Sequence, residues 1–419
     1  MPTTIPLAED KRRASAAEIA ASGPGSCFEV SLLTGGSDRP YVYGLTMALA
    51  ASGVHLDVIG NAETDSPEMH NRPTVNHLNL YWNPRLRASL AGKIRRVLAF
   101  YGRLIRYAFL AKPKIFHILW NNKILLFDRT LLMLYYKLLG KKVVFTAHNV
   151  NAARRDANDS ALNRLSLRIQ YRLADHIFVH TEKMKHELVE EYGVHGDAVT
   201  VIPFGINNSV PDTQLTPLEA RRHLRIGSGD QTILFFGRIR PYKGAEHVVA
   251  AFQRIAPKHP EYRLIMVGEP KKESEQYLRD LQEMIARDPS AERVTQRFEF
   301  VPDSETEIYF KAADVLVLPY TDVFQSGVLF LAYSFGLPTI ASDVGSFRDD
   351  IVIGQTGYIC RPGDSEDLAQ AIETYFSSDL YKNLDRRRQT IRDFANSRNS
   401  WNAVSESTCK VYERLLDRS

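Results

Sequence analysis

Apolar residues in this chain fall into short runs separated by longer stretches of helical periodicity. FEVSLLTGG (28–36), VHLDVIG (54–60), KIFHILW (114–120), KVVFTAH (142–148), DHIFVH (175–180) and VTVIPFG (199–205) read as strands. Helical patterns over 41–52, 128–139, 160–174 and 181–192 lie between them. The cycle then restarts. TILFFGRIR (232–240), YRLIMVG (262–268), FEFVP (298–302), DVLVLPY (314–320), PTIASDV (338–344) and TGYIC (356–360) read as strands, with helices at 244–256, 326–335 and 365–376. Short apolar strands alternating with helices specify βαβ units and parallel sheets. Two series of similar length predict an α/β protein of two doubly wound, Rossmann-like domains facing each other across a cleft. Pro203 to Asn208 punctuates the junction. The expected divisions are a flexible tail (1–26), an N-terminal domain (27–204), a C-terminal domain (205–398) and a final helix (399–419).

Composition narrows the class. With 44% apolar residues over 419 positions, there is material for large cores. Three widely spaced cysteines form no metal or disulfide pattern, so no metal is expected. A net charge of +4 gives no polycationic footprint, and no nucleic-acid partner is expected. The first 26 residues lack the apolar run of a signal peptide, and no uncharged stretch reaches the ~18 residues of a membrane span. A cytoplasmic protein is expected, with any membrane contact peripheral.

The charge distribution says more than its sum. No acid occurs in the 59 residues between Glu68 and Asp128, while 85–114 holds nine basic residues. On a helical wheel, Leu90, Ile94, Val97, Leu98, Tyr101, Leu104 and Ile105 share one arc, and Arg95, Arg96, Arg103 and Arg106 lie opposite. Such a basic amphipathic helix suits an anionic membrane surface. The alternative is a helix packed on its domain with a solvated basic face.

Candidate chemistry gathers at strand ends. After the strand ending at Gly237, Arg238 and Lys243 precede a helix N-terminus, a setting for a diphosphate. Asp322, Gln325, Ser326, Gly327 and Val328 occupy a loop opening an apolar helix, where free backbone N–H groups meet an anion. Gly35 and Gly36 follow the first strand, with Asp38 just beyond as a helix cap or a cleft carboxylate. His148 ends a strand and is placed to meet a substrate hydroxyl or move a proton.

Several of these segments carry a resemblance. GRIRPYKG (237–244) is similar to the Gly-Arg…Lys-Gly motif of family 4 (group 1) glycosyltransferases of the GT-B fold. VIPFGIN (201–207), the run from VLVLPY to LAYSFGLPTIASDVG, and IVIGQTGYICRPGDSEDLAQAI (351–372) follow the same family's pattern. The resemblance implies transfer of a sugar from a nucleotide-diphosphate donor to an acceptor hydroxyl, with no cofactor beyond that co-substrate and no metal. It also implies that Arg238 and Lys243 neutralise the diphosphate, that Gly36 lines the donor phosphate and that His148 meets the donor sugar. One feature departs from the family. The two glutamates that many members carry eight residues apart are here Val323 and Leu331. Gln325, Ser326 and Asp322 are the nearest substitutes, and Asp38 is the candidate base if the reaction inverts configuration. With the basic helix, the expected role is addition of a sugar to a lipid-linked or oligosaccharide acceptor in surface polysaccharide or glycolipid assembly. Two other readings fit the same residues: a sugar-nucleotide epimerase, and a non-catalytic nucleotide-sugar-binding subunit.

Overall fold

The computed structural model describes residues 28–36, 38–81, 89–156, 158–207 and 209–417. The expected tail (1–26) and the first residues of the basic segment (85–88) lie outside them. The first half folds as a seven-stranded sheet. Its strands are β1 (Glu29–Leu33), β2 (His55–Gly60), β3 (Val75–Asn79), β4 (Ile115–Ile118), β5 (Lys142–Thr146), β6 (His176–Val179) and β7 (Val199–Val201). The second half forms a six-stranded sheet from β8 (Gln231–Phe236), β9 (Tyr262–Val267), β10 (Val294–Arg297), β11 (Val315–Leu318), β12 (Thr339–Ser342) and β13 (Gly357–Cys360). Their orders are β3-β2-β1-β4-β5-β6-β7 and β10-β9-β8-β11-β12-β13. Pairings within both are parallel, as in β1–β4 and β8–β11.

Sequence explains the layering. The inner strands β4 (IFHI) and β11 (VLVL) are buried along their whole length, because helices cover both faces of each sheet. In each sheet the order reverses beside the first strand, at β1/β4 and at β8/β11. Doubly wound sheets bind ligands at that switch point, beyond the carboxyl ends of the strands.

Two expectations change. The strand expected at 298–302 lies four residues earlier, as β10, and 298–302 is loop. Phe298 and Phe300 mimic a strand run, but Phe300 is 68% exposed. β3 is a strand that the apolar pattern does not announce. Its sequence, VNHLN, sits at a sheet edge where polar side chains reach water.

The chain crosses between the domains twice. Ile206 N–H donates to Asn399 O at 2.9 Å, and Asn399 Nδ2 donates to Phe204 O at 2.9 Å. Trp401 Nε1 donates to Ile206 O at 2.9 Å. The last helix, Trp401–Asp417, packs along Arg39–Ala51 of the N-terminal domain. Its Tyr412 hydroxyl sits 2.5 Å from His117 Nδ1, and the other His117 nitrogen is 2.7 Å from Thr146 Oγ1.

Candidate active site

A cavity of about 350 Å³ lies between the two sheets' switch points. β8 delivers its floor. The strand ends, Pro241–Lys243 makes one 3₁₀ turn, and Ala245–Ile255 begins. Lys243 is 7% exposed and lines the cavity, with Nζ 5.1 Å from the Tyr320 ring centroid. Gly237 makes room for it: a Cβ there would lie 2.7 Å from Lys243 Nζ and 3.4 Å from Val328 Cγ2. Burial, together with the charges of Arg238, Arg155 and Arg240, pushes the Lys243 ammonium down to about 8. A dianion in the cavity reverses that penalty.

β11 delivers the wall. The apolar helix Gly327–Ser334 starts at the cavity, and Ser326, its N-cap residue, makes no side-chain capping bond. No hydrogen bond from the Gly327 or Val328 N–H to another described residue is seen, so both remain for a ligand. With Lys243 opposite, the helix terminus makes a two-sided anion site. Arg238 is exposed beside this site and close enough to act electrostatically on both Lys243 and Asp38.

The N-terminal domain closes the cavity. Asp38, at φ 48°, caps the helix Arg39–Ala51 by accepting the Tyr41 N–H at 3.4 Å. It is also the one carboxylate among the described residues that line the cavity. Asp38 is exposed at the edge of the cavity, and partial loss of hydration there raises its pKa, against the Tyr41 amide and the Arg238 charge. Cap and cleft carboxylate are thus one residue.

Other candidates sit differently. The ring of His148 stacks on Trp120 at 4.0 Å and packs edge-on against Tyr41, and its Nδ1 lies 3.1 Å from His180 Nε2. Its neighbour Asn149, not His148, lines the cavity. Burial holds the His148 pKa well below the usual range, so the ring is neutral, with Nε2 buried and unpartnered among the described residues. The Gly36 N–H is already donated to Thr34 Oγ1 at 3.1 Å, and Gly35 abuts the Trp120 and Asn121 carbonyls. Asp322 is exposed and outside the cavity, whereas Gln325 lines it. Val323 and Leu331, in place of the paired glutamates, are 7% and 6% exposed and make part of the wall apolar.

Sequence reasoning missed Tyr242, which neighbours Lys243 in the same turn, and Arg155 and Trp401, which line the cavity from distant elements. Arg155 reaches across the cleft to lie 4.4 Å over the Tyr242 ring. No local pattern marks Arg155 and Trp401, because only the tertiary arrangement brings them to the cavity. A larger groove of about 610 Å³ runs along β3 under the basic helix. It extends to the amino ends of β1 and β2 and mixes Glu29 and Asp57 with Arg103, Arg106 and Lys112.

Comparison with known proteins agrees with this geometry. The family model for Glycosyltransferase Family 4 matches residues 35–210, and that for Glycosyl transferases group 1 matches 230–378. D-inositol 3-phosphate glycosyltransferase of Nocardia farcinica is 28% identical over 288 residues, covering 65% of this chain and 61% of the relative. The chain thus spans about three fifths of the length of that relative. Sucrose-phosphate synthase of Thermosynechococcus elongatus superposes with a TM-score of 0.74 at 19% identity, over 94% of this chain and 100% of its own. HepE of Anabaena, solved with UDP and glucose, gives a TM-score of 0.71 at 16% identity, over 92% of this chain and 99% of its own. Both solved structures share the two-domain fold, and the two family models cover one domain each. The chain belongs to the group 1, family 4 glycosyltransferases.

Proposed function

We propose that this protein transfers a sugar from a nucleotide-diphosphate donor to an acceptor hydroxyl, and that the acceptor is carried on a lipid at an anionic membrane surface. The observation that carries the donor half is Lys243: a buried cation that lines the cavity together with a helix N-terminus of the same domain. A buried ammonium with a depressed pKa is costly unless an anion arrives. Solved relatives of the same fold, such as HepE, hold UDP.

In the proposed reaction the bond from the anomeric carbon to the diphosphate oxygen breaks, and a bond to the acceptor oxygen forms. The electron pair leaves with the nucleoside diphosphate. Lys243, Arg238 and the Gly327 helix terminus stabilise that developing charge, as fixed dipoles and cations do in other active sites. No metal is required for this step. Asp38 takes the acceptor proton if the sugar is displaced directly from behind. If configuration is retained, the departing phosphate oxygen takes it. His148 packs as a neutral ring behind Tyr41.

The lipid half rests on the Leu90–Leu110 helix. Its Arg95, Arg103 and Arg106 are exposed, and so are Leu90, Ile94, Leu98 and Phe109. Among the described residues no helix is long and apolar enough to cross a membrane, so the proposed contact is peripheral.

The donor half is tested by a thermal-shift screen of UDP-, GDP- and ADP-sugars, since a ligand that binds only the folded state raises the melting temperature. Lys243→Ala is expected to abolish the shift and to lower turnover by about 100-fold or more. A loss below about threefold removes Lys243 from the reaction.

A further inference from the structure

The groove under the basic helix, about 610 Å³, is larger than the cleft and lies at the other end of the N-terminal sheet. It opens at the amino ends of β1 and β2, away from the carboxyl ends that carry the donor chemistry. Strand alternation makes its floor. Val30 and Val58 pack on the far face of the sheet, while Leu33 and Ile59 face the Leu90–Leu110 helix with Phe100 and Leu104. Two and four residues earlier on that same face the apolar pattern stops: Ser31 and Glu29 on β1 stand beside Asp57 and His55 on β2.

Asp57 is a half-buried carboxylate held by neutral donors. Tyr107 OH donates to its Oδ2 at 2.7 Å and Asn76 Nδ2 to its Oδ1 at 2.9 Å, while Ser31 Oγ lies 2.7 Å from the Tyr107 hydroxyl. Each carboxylate oxygen therefore keeps a lone pair for a further donor. The helix supplies the wall. Arg103, Arg106 and Leu110, at i, i+3 and i+7, line the groove from one helix face, and Lys112 follows. Arg103 Nη1 donates to Leu80 O at 3.4 Å, which ties the helix to the end of β3. Among the described residues, Glu29, Asp57, Arg103, Arg106 and Lys112 make no ion pair with one another or with any other group. Acids on the sheet and cations on the helix share one space without neutralising each other.

We propose that this groove binds the headgroup of a zwitterionic glycerophospholipid of the phosphoethanolamine type. Its phosphate meets Arg106 and Lys112, with Arg103 beside them, and its ammonium meets Asp57 and Glu29. Separated charges of both signs suit a ligand that carries both. A purely anionic headgroup would set further negative charge against the two acids. A quaternary choline has no N–H to donate to the Asp57 lone pairs, whereas an ammonium has three. The lip of the groove supplies the lipid half of the argument. Leu110, which lines it, and its neighbour Phe109 are 62% and 68% exposed, and acyl chains would cover them. The proposal leaves the donor reading of the cleft untouched, and it shares with the membrane reading of this helix only the source of the headgroup.

Titration calorimetry of the full chain with short-chain lipids, kept below the concentration at which they form micelles, tests this. The probes are dihexanoyl phosphatidylethanolamine, the matching phosphatidylcholine and phosphatidylglycerol, and glycerophosphoethanolamine, which has the headgroup without chains. The ethanolamine lipid is expected to bind, and the choline and glycerol lipids about tenfold or more weaker. The chainless headgroup is expected to lose at least about tenfold as well, because it buries no apolar surface. Arg106→Ser/Lys112→Ser should weaken the ethanolamine lipid about tenfold or more. Glu29→Gln/Asp57→Asn should erase the preference for ethanolamine over choline. Where Asp57→Asn disturbs the circular dichroism spectrum, Glu29→Gln alone, at an exposed position, should narrow the same preference. All these variants should keep the wild-type thermal shift with the donor sugar nucleotide, since the cleft is at the other end of the sheet. No heat with the ethanolamine lipid, equal affinity for the glycerol lipid or the chainless headgroup, or an unchanged preference in the acid variants overturns the inference. Wild-type protein that takes up the short-chain lipid but does not sediment with anionic vesicles upholds this inference and overturns the membrane reading alone.

Discussion

Lys243 shows how one residue trades stability for binding. In the unfolded chain it keeps its proton to about pH 10.5, and in the folded, unliganded protein only to about 8. Between those values the unfolded state holds more protons, so the unliganded protein gains stability as pH rises through that window. Below pH 8 the full cost of a buried cation is present. Lys243→Met is therefore expected to stabilise the unliganded protein by about 2–3 kcal/mol at pH 7. Melting curves from pH 7 to 10.5 check this: the gap between variant and wild type should shrink as pH rises. A variant less stable at pH 7 contradicts the account. Lys243 was legible because a strand, two cations and a helix start are local. His148 shows the limit of that logic. The end of β5 does bring it to the cleft edge, but whether the ring faces solvent depends on Tyr41, Trp120 and His180, which come from three other elements.

At the scale of elements, the basic helix is the clearest case of partial legibility. The sequence puts its apolar arc on one face, and the structure divides that face. Tyr101 and Leu104 go into the core with Phe100 and Ala108, while Leu90, Ile94 and Leu98 are 75%, 54% and 64% exposed. The wheel shows that the residues share an arc but not where the neighbouring layer ends. Beside it, Leu131, Leu134 and Leu138 are exposed on the following helical segment, which Tyr135 OH ties to Ile105 O at 3.2 Å. Two apolar ridges flanked by arginines match a membrane interface, each cation near it contributing about 1 kcal/mol. Changing Arg95, Arg96, Arg103 and Arg106 together to Ser is expected to lower partition onto anionic vesicles by about 100-fold or more at low salt. The apolar contribution is tested separately by Ile94→Ser/Leu98→Ser, which should weaken binding at high salt as well, because apolar burial is not screened. Co-sedimentation measures both, and unchanged partition in the arginine variant rejects docking by this helix.

For the whole molecule, the question is what sets one domain against the other. Surface ion pairs are poor candidates. Arg39–Asp303 spans the cleft at 3.2 Å, but its side chains are 46% and 39% exposed, and such pairs contribute about 0–1 kcal/mol. Arg240–Asp156, at 3.4 Å, is better shielded but shares its acid with Arg155. Packing at the crossing carries more. Phe204 stacks on Phe330 at 5.5 Å, and Trp401 lies against Gly44 and Gly205, whose absent side chains leave space for the indole. Gly205 stands out in the sequence as punctuation between two domains, but its reason is invisible there, because the ring it accommodates arrives 196 residues later from the second crossing. That arrangement predicts coupling. Gly205→Ala forces the Trp401 ring to move and is expected to cost about 1–3 kcal/mol. Trp401→Ala leaves a void and is expected to cost about 3 kcal/mol. In the double variant the alanine at 205 no longer meets an indole, so the combined loss should fall short of the sum by more than about 0.5 kcal/mol. Denaturant melts of the four proteins measure that difference, and additive losses would show that the indole does not set the hinge. Because Trp401 also lines the cleft, the same cycle read by nucleotide affinity reports whether hinge packing and donor binding share one conformational equilibrium.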